Sequence, residues 1–535
     1  MTESNTRYRT YLENCWTAPL FILVAVLGMY LPVVLAHPEF YLDDFYFLAL
    51  LREGGIPHPF SGVMYEYHAA LRPLFMLSLA LDHALFGAHS IWYYATNLVI
   101  VWGGAVVLYH LLRQVYELFA ERKTRLLPLL LALAFIVHAD MFYGAVWISN
   151  RTESLMALLY LTTILATLQY FSTRRPAMLA AALLLFVLTM AAKAQAAHFP
   201  LLFVFLGWLL VRRKDTALTM RQVLVASIPF FLVSAAYAWV TVQYDPGLGV
   251  VPWQWLPQKF MAAIGILLIS VFPPAAEPAY AYFVQHKLVA AGVMFAVAAG
   301  AQVMWRFLSP RDRWLAAGLL VLYVILLYPR IMHHAAPRVN SIQILYVLMV
   351  LGLLALRLRP AIATIVLTAF LSLHIIGTTA IAIPEWYVAA DNDRYREVIA
   401  EERGTPRTYY QLVAWQHFDP YALYFFRHGD FGKDSTWIQS PARFDLFYGQ
   451  TAGFQYDITV VQDSVVFEAH DPRAFFERDD TKTLLPGVTM KWQREDKPHR
   501  FMKVGFCFKN APRDVIYLAE RDYRYERVKI FPGEE

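Results

Sequence analysis

The chain has 535 residues, 58% of them hydrophobic and 16% charged, with a mean hydropathy of +0.42. Soluble domains carry about a quarter charged residues, so the composition excludes a disordered chain, a disulfide-rich secreted module and an ordinary soluble enzyme. The charge is unevenly spread: residues 384–535 hold 25 acids and 21 bases, and the first 383 residues only 16 acids against 25 bases. This pattern predicts an all-α polytopic membrane domain over 1–383, followed by an extracytoplasmic soluble domain over 384–535 that is α+β or β-rich.

In chain order, apolar stretches of spanning length lie near 17–36, 91–112, 126–140, 153–171, 177–193, 196–211, 222–242, 287–305, 314–329, 340–356 and 361–383, about eleven in all. The first is long enough to span and lacks a small-residue cleavage site, so it reads as a membrane helix rather than a signal peptide. Two more stretches, 71–87 and 260–274, are interrupted by Asp82-His83 and by Phe272-Pro273-Pro274. Basic clusters at Arg7/Arg9, Arg113 with Arg122-Lys123-Arg125, Arg174-Arg175, Arg212-Arg213-Lys214 with Arg221, Arg306/Arg311/Arg313 and Arg357/Arg359 fall on one side only if neither interrupted stretch crosses. Both are therefore expected to lie at the outer surface, with the N-terminus cytoplasmic and the tail outside. Because the bases flank apolar runs, they mark topology and not a nucleic-acid surface. Cys15 and Cys507 then lie on opposite sides of the membrane and form no bridge.

The same topology gathers ten of the sixteen acids and eight bases of this part on the outer face, where charges near a bilayer mark a site. Asp43-Asp44 stands among aromatics just after the first span, and a partly desolvated carboxylate there suits a general base. An N-cap on a surface helix is the competing role. A second cluster contains His138, Asp140, Trp147, Asn150, Arg151 and Glu153. A third contains Lys193 and His198, and a fourth Arg330, His333, His334 and Arg338. Guanidinium and ammonium groups of this kind suit a phosphate. Trp147 doubles as an interfacial anchor, and Lys193 as a snorkelling cation. Adjacent histidines without a carboxylate or Cys at ligand spacing make a weak metal site. No P-loop, dinucleotide fingerprint or HExxH occurs.

In this order the clusters resemble the GT-C superfamily of membrane glycosyltransferases, nearest to the O-mannosyltransferase-like branch that usually carries tetratricopeptide repeats. The matching residues are Leu42-Asp43-Asp44, Leu71-Arg72-Pro73-Leu74, Leu85-Phe86-Gly87, Asn97, His138 and Gly144-Ala145-Val146-Trp147-Ile148-Ser149-Asn150-Arg151, with Lys193 before Pro200. Tyr143 and Ala194 stand where the branch has Glu, and the repeats are missing. Short β-branched and aromatic runs at 456–462, 464–468 and 514–518 occupy the tail instead.

The resemblance implies transfer of a sugar from a polyprenyl-phosphate donor to a hydroxyl acceptor with inversion, in a bacterial inner membrane. Asp43 would be the base, with Asp44 beside it. Arg338, Arg330, Lys193, Arg151 and His334 would hold the donor phosphate. Arg72, His138, Asp140, Trp147 and Glu153 would position substrate. The partners would be the lipid-linked sugar, the acceptor and the bilayer. No cofactor or metal is required by that chemistry. The competing functions are a transporter or flippase of lipid-linked sugars and a non-catalytic membrane assembly protein.

Overall fold

The computed structural model describes residues 2–36, 40, 44, 47, 48, 51, 71–87, 89–119, 125–212, 218–244, 310–332, 341–359 and 361–379, with scattered positions in 292–309. In the last part of the chain it describes 408–413, 436–439, 442–446, 456–469, 474–478, 487–497, 500–512, 515–521 and 524–530. Two compact units result. One comprises 1–38 with 55–382, the other 39–54 with 383–535.

The first unit is helical. Its elements are α1 (Thr2–Ala36), α2 (Pro73–Phe86), α3 (Ser90–Phe119), α4 (Leu126–Ile136), α5 (Ala139–Val146), α6 (Arg151–Thr173) and α7 (Pro176–Ala192). A 3-10 turn (Ala194–His198) leads into α8 (Phe199–Arg212), followed by α9 (Met220–Tyr244), α10 (Pro310–Met332), α11 (Ser341–Ala355) and α12 (Ala361–Thr379). Pro73 and Pro176 open α2 and α7, positions where the missing N–H costs nothing.

Six segments among the described residues are long and apolar enough to cross a membrane: Thr17–Leu35, Ser90–Leu118, Arg151–Thr173, Ala194–Arg212, Met220–Thr241 and Ala361–Thr379. Their packing fits a lipid solvent. On α1, Ala18, Ile22, Val26, Tyr30 and Val34 form a buried stripe at four-residue spacing, while Leu20, Phe21, Val24 and Leu35 stay exposed. On α9, Leu224, Val225, Ile228, Phe231, Leu232 and Trp239 are likewise exposed. Apolar surface this continuous marks contact with something other than water.

The count of about eleven spans is not reached among the described residues. The stretch 126–140 divides into an eleven-residue helix, a turn and the short α5. The turn is stable because other helices take up the carbonyls that α4 leaves open. The Tyr30 hydroxyl of α1 donates to the Ile136 carbonyl, and Thr378 of α12 donates to that of Val137 at 2.5 Å. The stretches 177–193 and 340–356 form helices of 17 and 15 residues, and 314–329 lies within the 23-residue α10. The stretch 287–305 lies largely, and 260–274 wholly, outside the described residues.

The interrupted stretch 71–87 forms α2, a helix of 14 residues. At 1.5 Å per residue it is about 21 Å long, too short for a bilayer's hydrocarbon core. Leu77, Leu81 and Leu85 line its exposed side, and Phe75, Met76, Leu79 and Asp82 its buried side.

The second unit carries two sheets. One has strand order β10-β9-β1-β2, built from Arg524–Arg527, Val515–Arg521, Thr408–Val413 and Thr436–Gln439. In it β1 runs parallel to both neighbours, and β10 is antiparallel to β9. The other is antiparallel, with order β3-β6-β8-β5-β4 (Ala442–Leu446, Ala474–Arg478, Arg500–Cys507, Ser464–Ala469 and Tyr456–Val461) and with β7 (Thr489–Lys497) also pairing β8. Alternation along β5 and β8 buries Val465, Phe467, Val504 and Phe506 in a core shared with Leu412, Val515 and Tyr517 of the first sheet. Before β7, Gly487 has φ +84°, and a Cβ there would lie 2.5 Å from the Asn510 carbonyl oxygen. Only glycine fits that turn.

Candidate functional site

The charged side chains buried in the helical unit concentrate at the N-terminus of α6. Arg151 begins this helix and is fully buried. Helix α2 brings Ser78 and Asp82, one turn apart, to one side of its guanidinium. Helix α3 brings Tyr93 and Asn97, also one turn apart, to the other. Arg151 Nη2 lies 2.6 Å from Asp82 Oδ2 and donates to the Tyr93 carbonyl at 2.8 Å. Its Nε donates to Asn97 Oδ1 at 2.5 Å, and its Nη1 contacts the Ser78 carbonyl and hydroxyl at 3.4 Å each. Asn97 Nδ2 donates onward to the Trp147 carbonyl at 3.3 Å, and Thr96 donates to Asp82 Oδ1 at 3.0 Å. The guanidinium is thus committed to protein acceptors at Nε, Nη1 and Nη2. These contacts make Arg151 a strut that fastens α2 and α3 to α6.

Glu153 lies two residues further along α6, about 200° around the helix from Arg151. It is fully buried and ion-paired with Lys193, whose side chain is 13% exposed. Lys193 ends α7 and starts the 3-10 turn, with its backbone N–H donating to the Thr189 carbonyl at 2.9 Å. The N-terminus of α6 is therefore clamped on two sides by two ion pairs that sum to no net charge. Of the four partners Lys193 is the most accessible.

The turn after α4 supplies His138, whose carbonyl accepts from Met141 and Phe142 and so starts α5. Its buried ring lies 4.7 Å from that of His374 on α12. Trp147 closes α5, buried, with its ring 6.3 Å from that of Tyr143. Arg72 caps the start of α2 and is half-buried. Asp140 and Arg330 lie within α5 and α10, and their side chains fall outside the described residues. Asp43, His334 and Arg338 fall outside them entirely. Asp44 is helical and fully buried, and its segment belongs to the second unit. Asn97 links the Trp147 carbonyl to Arg151, and Glu153 pairs with Lys193, while Arg72 and His138 stand at the starts of α2 and α5.

Sequence reasoning missed Asp82, Ser78 and Tyr93 as partners of Arg151, and missed His374. It also missed a buried triangle below the site. The Tyr160 hydroxyl lies 2.7 Å from His198 Nε2 and 2.5 Å from the Tyr346 hydroxyl, which is itself 2.8 Å from His198 Nε2. His198 Nδ1 faces the Gln195 carbonyl at 3.2 Å. A carbonyl only accepts, which puts the neutral ring's proton on Nδ1 and leaves Nε2 to accept from one tyrosine hydroxyl while the other donates to that hydroxyl. The 3-10 turn is thereby held at both ends, by Lys193–Glu153 and by His198–Tyr160. The signal available in the sequence was a set of hydroxyl and imidazole groups inside otherwise apolar spans, where an unsatisfied polar group is costly.

Among the described residues no three His, Cys, Asp or Glu side chains converge as a metal site would require. No protein-family model and no curated protein matches this chain.

Proposed function

We propose that the chain is a GT-C-type integral membrane glycosyltransferase, taking a sugar from a polyprenyl monophosphate and passing it to a hydroxyl on the extracytoplasmic face. The observation that carries this reading is the gathering of buried charged residues at the N-terminus of α6 in a charge-poor helical unit. It falls on the stretch Trp147-Ile148-Ser149-Asn150-Arg151, which with Asp43-Asp44 is the most specific part of the resemblance to that superfamily. In this reading the N-terminus is cytoplasmic, about eleven helices cross, and residues 384–535 form an extracytoplasmic domain.

The chemistry is a single displacement. The acceptor oxygen attacks the anomeric carbon while its proton passes to the Asp43 carboxylate. The bond from that carbon to the phosphate oxygen breaks, and the lipid phosphate leaves with the electron pair. Inversion follows from attack opposite the leaving group. The leaving phosphate needs cations already in place. Lys193 supplies one at the end of a turn held on both sides, and Arg330, Arg338 and His334 are the further candidates. Arg151 acts at one remove, by fixing the loop that carries Trp147. The donor's phosphate is bonded directly to the sugar, so no metal is needed to mask a diphosphate leaving group.

The test is incubation of the purified full chain with a panel of polyprenyl-phosphate sugars, reading release of lipid phosphate. Wild type is expected to release it, and Asp43→Ala to lose that activity by at least about a hundredfold, the scale of a missing general base, with expression unchanged. No release from any donor overturns the reading, and near-normal turnover by Asp43→Ala removes that residue from the mechanism. A transporter of lipid-linked sugars is the second reading, favoured by the Tyr160–His198–Tyr346 triangle inside apolar helices. It predicts movement of intact donor between leaflets without phosphate release.

A further inference from the structure

The end of the helical unit remote from α6's N-terminus carries a second charged surface. Helix α6 ends at Arg174 and is joined to α7 by Arg174-Arg175 alone. Helix α8, returning after the 3-10 turn, ends on the same side at Arg212, where α9 and α10 begin. Arg212 is exposed, with its guanidinium carbon 4.4 Å from the Trp208 ring centroid and 5.5 Å from that of Trp314. The two indoles meet edge to face at 5.7 Å. Trp208 stands one turn before Arg212 on α8, and Trp314, 53% exposed, is on the first turn of α10.

The indole rings attract the guanidinium by their π faces, a contact that does not use its N–H donors. No acceptor among the described residues bonds it. The nearby acid Asp312 is already bonded by Arg357, with Nε to Oδ2 at 2.6 Å. Arg313 donates its Nε to the Trp305 carbonyl at 3.0 Å and an Nη2 to that of Arg306 at 3.3 Å. Independently, Arg174, at the end of α6 on the same side, has a buried Nη1 that likewise lacks an acceptor among the described residues. Two guanidinium groups with donors that no described residue fills thus lie at the same end of the unit as the paired indoles, the residue type that settles at a bilayer's headgroup level.

We infer that Arg212, Trp208 and Trp314 form a binding site for the headgroup of an anionic glycerophospholipid. The guanidinium edge meets the phosphodiester in a forked hydrogen bond, and the indoles flank the glycerol and the upper acyl chain. This is a site for bulk anionic lipid, at the opposite end of the unit from the donor chemistry proposed above, and it does not depend on that chemistry.

The experiment uses the full chain in nanodiscs of phosphatidylcholine mixed with phosphatidylglycerol, transferred to mild detergent, with retained lipids counted by native mass spectrometry. Wild type should keep phosphatidylglycerol in preference to phosphatidylcholine, and Arg212→Gln should lose that preference several-fold. Arg212→Lys, which keeps the charge without the fork, should fall between them. Arg221→Gln, which removes an exposed rim charge outside the aromatic stack, should behave as wild type. Inorganic phosphate alone should not raise the melting temperature. Equal phosphatidylglycerol retention by wild type and Arg212→Gln overturns the proposal. So does an equal loss in Arg221→Gln, which would make the preference one of diffuse charge, and so does stabilisation by inorganic phosphate that Arg212→Gln abolishes.

Discussion

Arg151 shows how a charge is kept inside an apolar helical unit. A guanidinium stripped of water is tolerable only with a counter-charge and acceptors for its N–H groups, and α2 and α3 supply both from residues spaced one turn apart. Removing only the counter-charge is the severe change. Asp82→Asn should destabilise the protein by about 3–5 kcal/mol, because it leaves the cation buried and uncompensated. Asp82→Asn combined with Arg151→Gln should cost less than Asp82→Asn alone. Melting of the two variants and of Arg151→Gln completes the cycle, and simple additivity would show that the pair is uncoupled. The residue types at this site were legible in the sequence, since Arg151, Glu153 and Lys193 stand out in charge-poor surroundings. Their pairings were not. Arg151 meets a carboxylate 69 positions earlier, and nothing local distinguishes an arginine bonded to protein from one awaiting a phosphate.

Between elements, small residues set how closely helices approach. A Cβ on Gly207 of α8 would stand 2.5 Å and 2.8 Å from the two γ-carbons of Val223 on α9, and 3.2 Å from the Phe171 ring of α6. Without a hydrophobic drive between helices in lipid, such close contact is a main source of association. Gly207→Ala should therefore destabilise the protein by about 1–3 kcal/mol, the range for overpacking. Val223→Ala in that background should recover part of the loss by removing the γ-carbons. The midpoint of thermal unfolding reads both, and an unchanged midpoint in Gly207→Ala would mean that the helices part freely. At this scale the sequence gives good access to helices and poor access to their ends. Apolar length locates α1, α3, α6 and α9, and proline marks the first turns of α2 and α7. The end of α4 was hidden because it depends on hydroxyls from Tyr30 and Thr378, which lie 106 and 241 positions from the carbonyls they bond.

The whole molecule divides into two units of different construction, one helical with exposed apolar stripes and one built on two sheets. The β-branched runs foresaw β4, β5 and β9, but not β1 lying parallel between β2 and β9, since a parallel pairing leaves no turn signature to read. The proposed orientation is open to a direct check with the two native cysteines. In intact cells a membrane-impermeant maleimide should label Cys507, half-buried at the end of β8, while Cys15 should react only after permeabilisation. The reverse pattern would invert the topology and remove the proposed outer site. The parallel pairing also carries a consequence for biogenesis. Thr408 of β1 is aligned with Val515 of β9, so the ribosome must deliver more than a hundred further residues before that central strand finds its second neighbour. Contacts so distant along the chain close slowly. The sheet therefore stays incomplete until β9 has emerged, and a stop codon just before position 515 would strand an unpaired edge on every copy made.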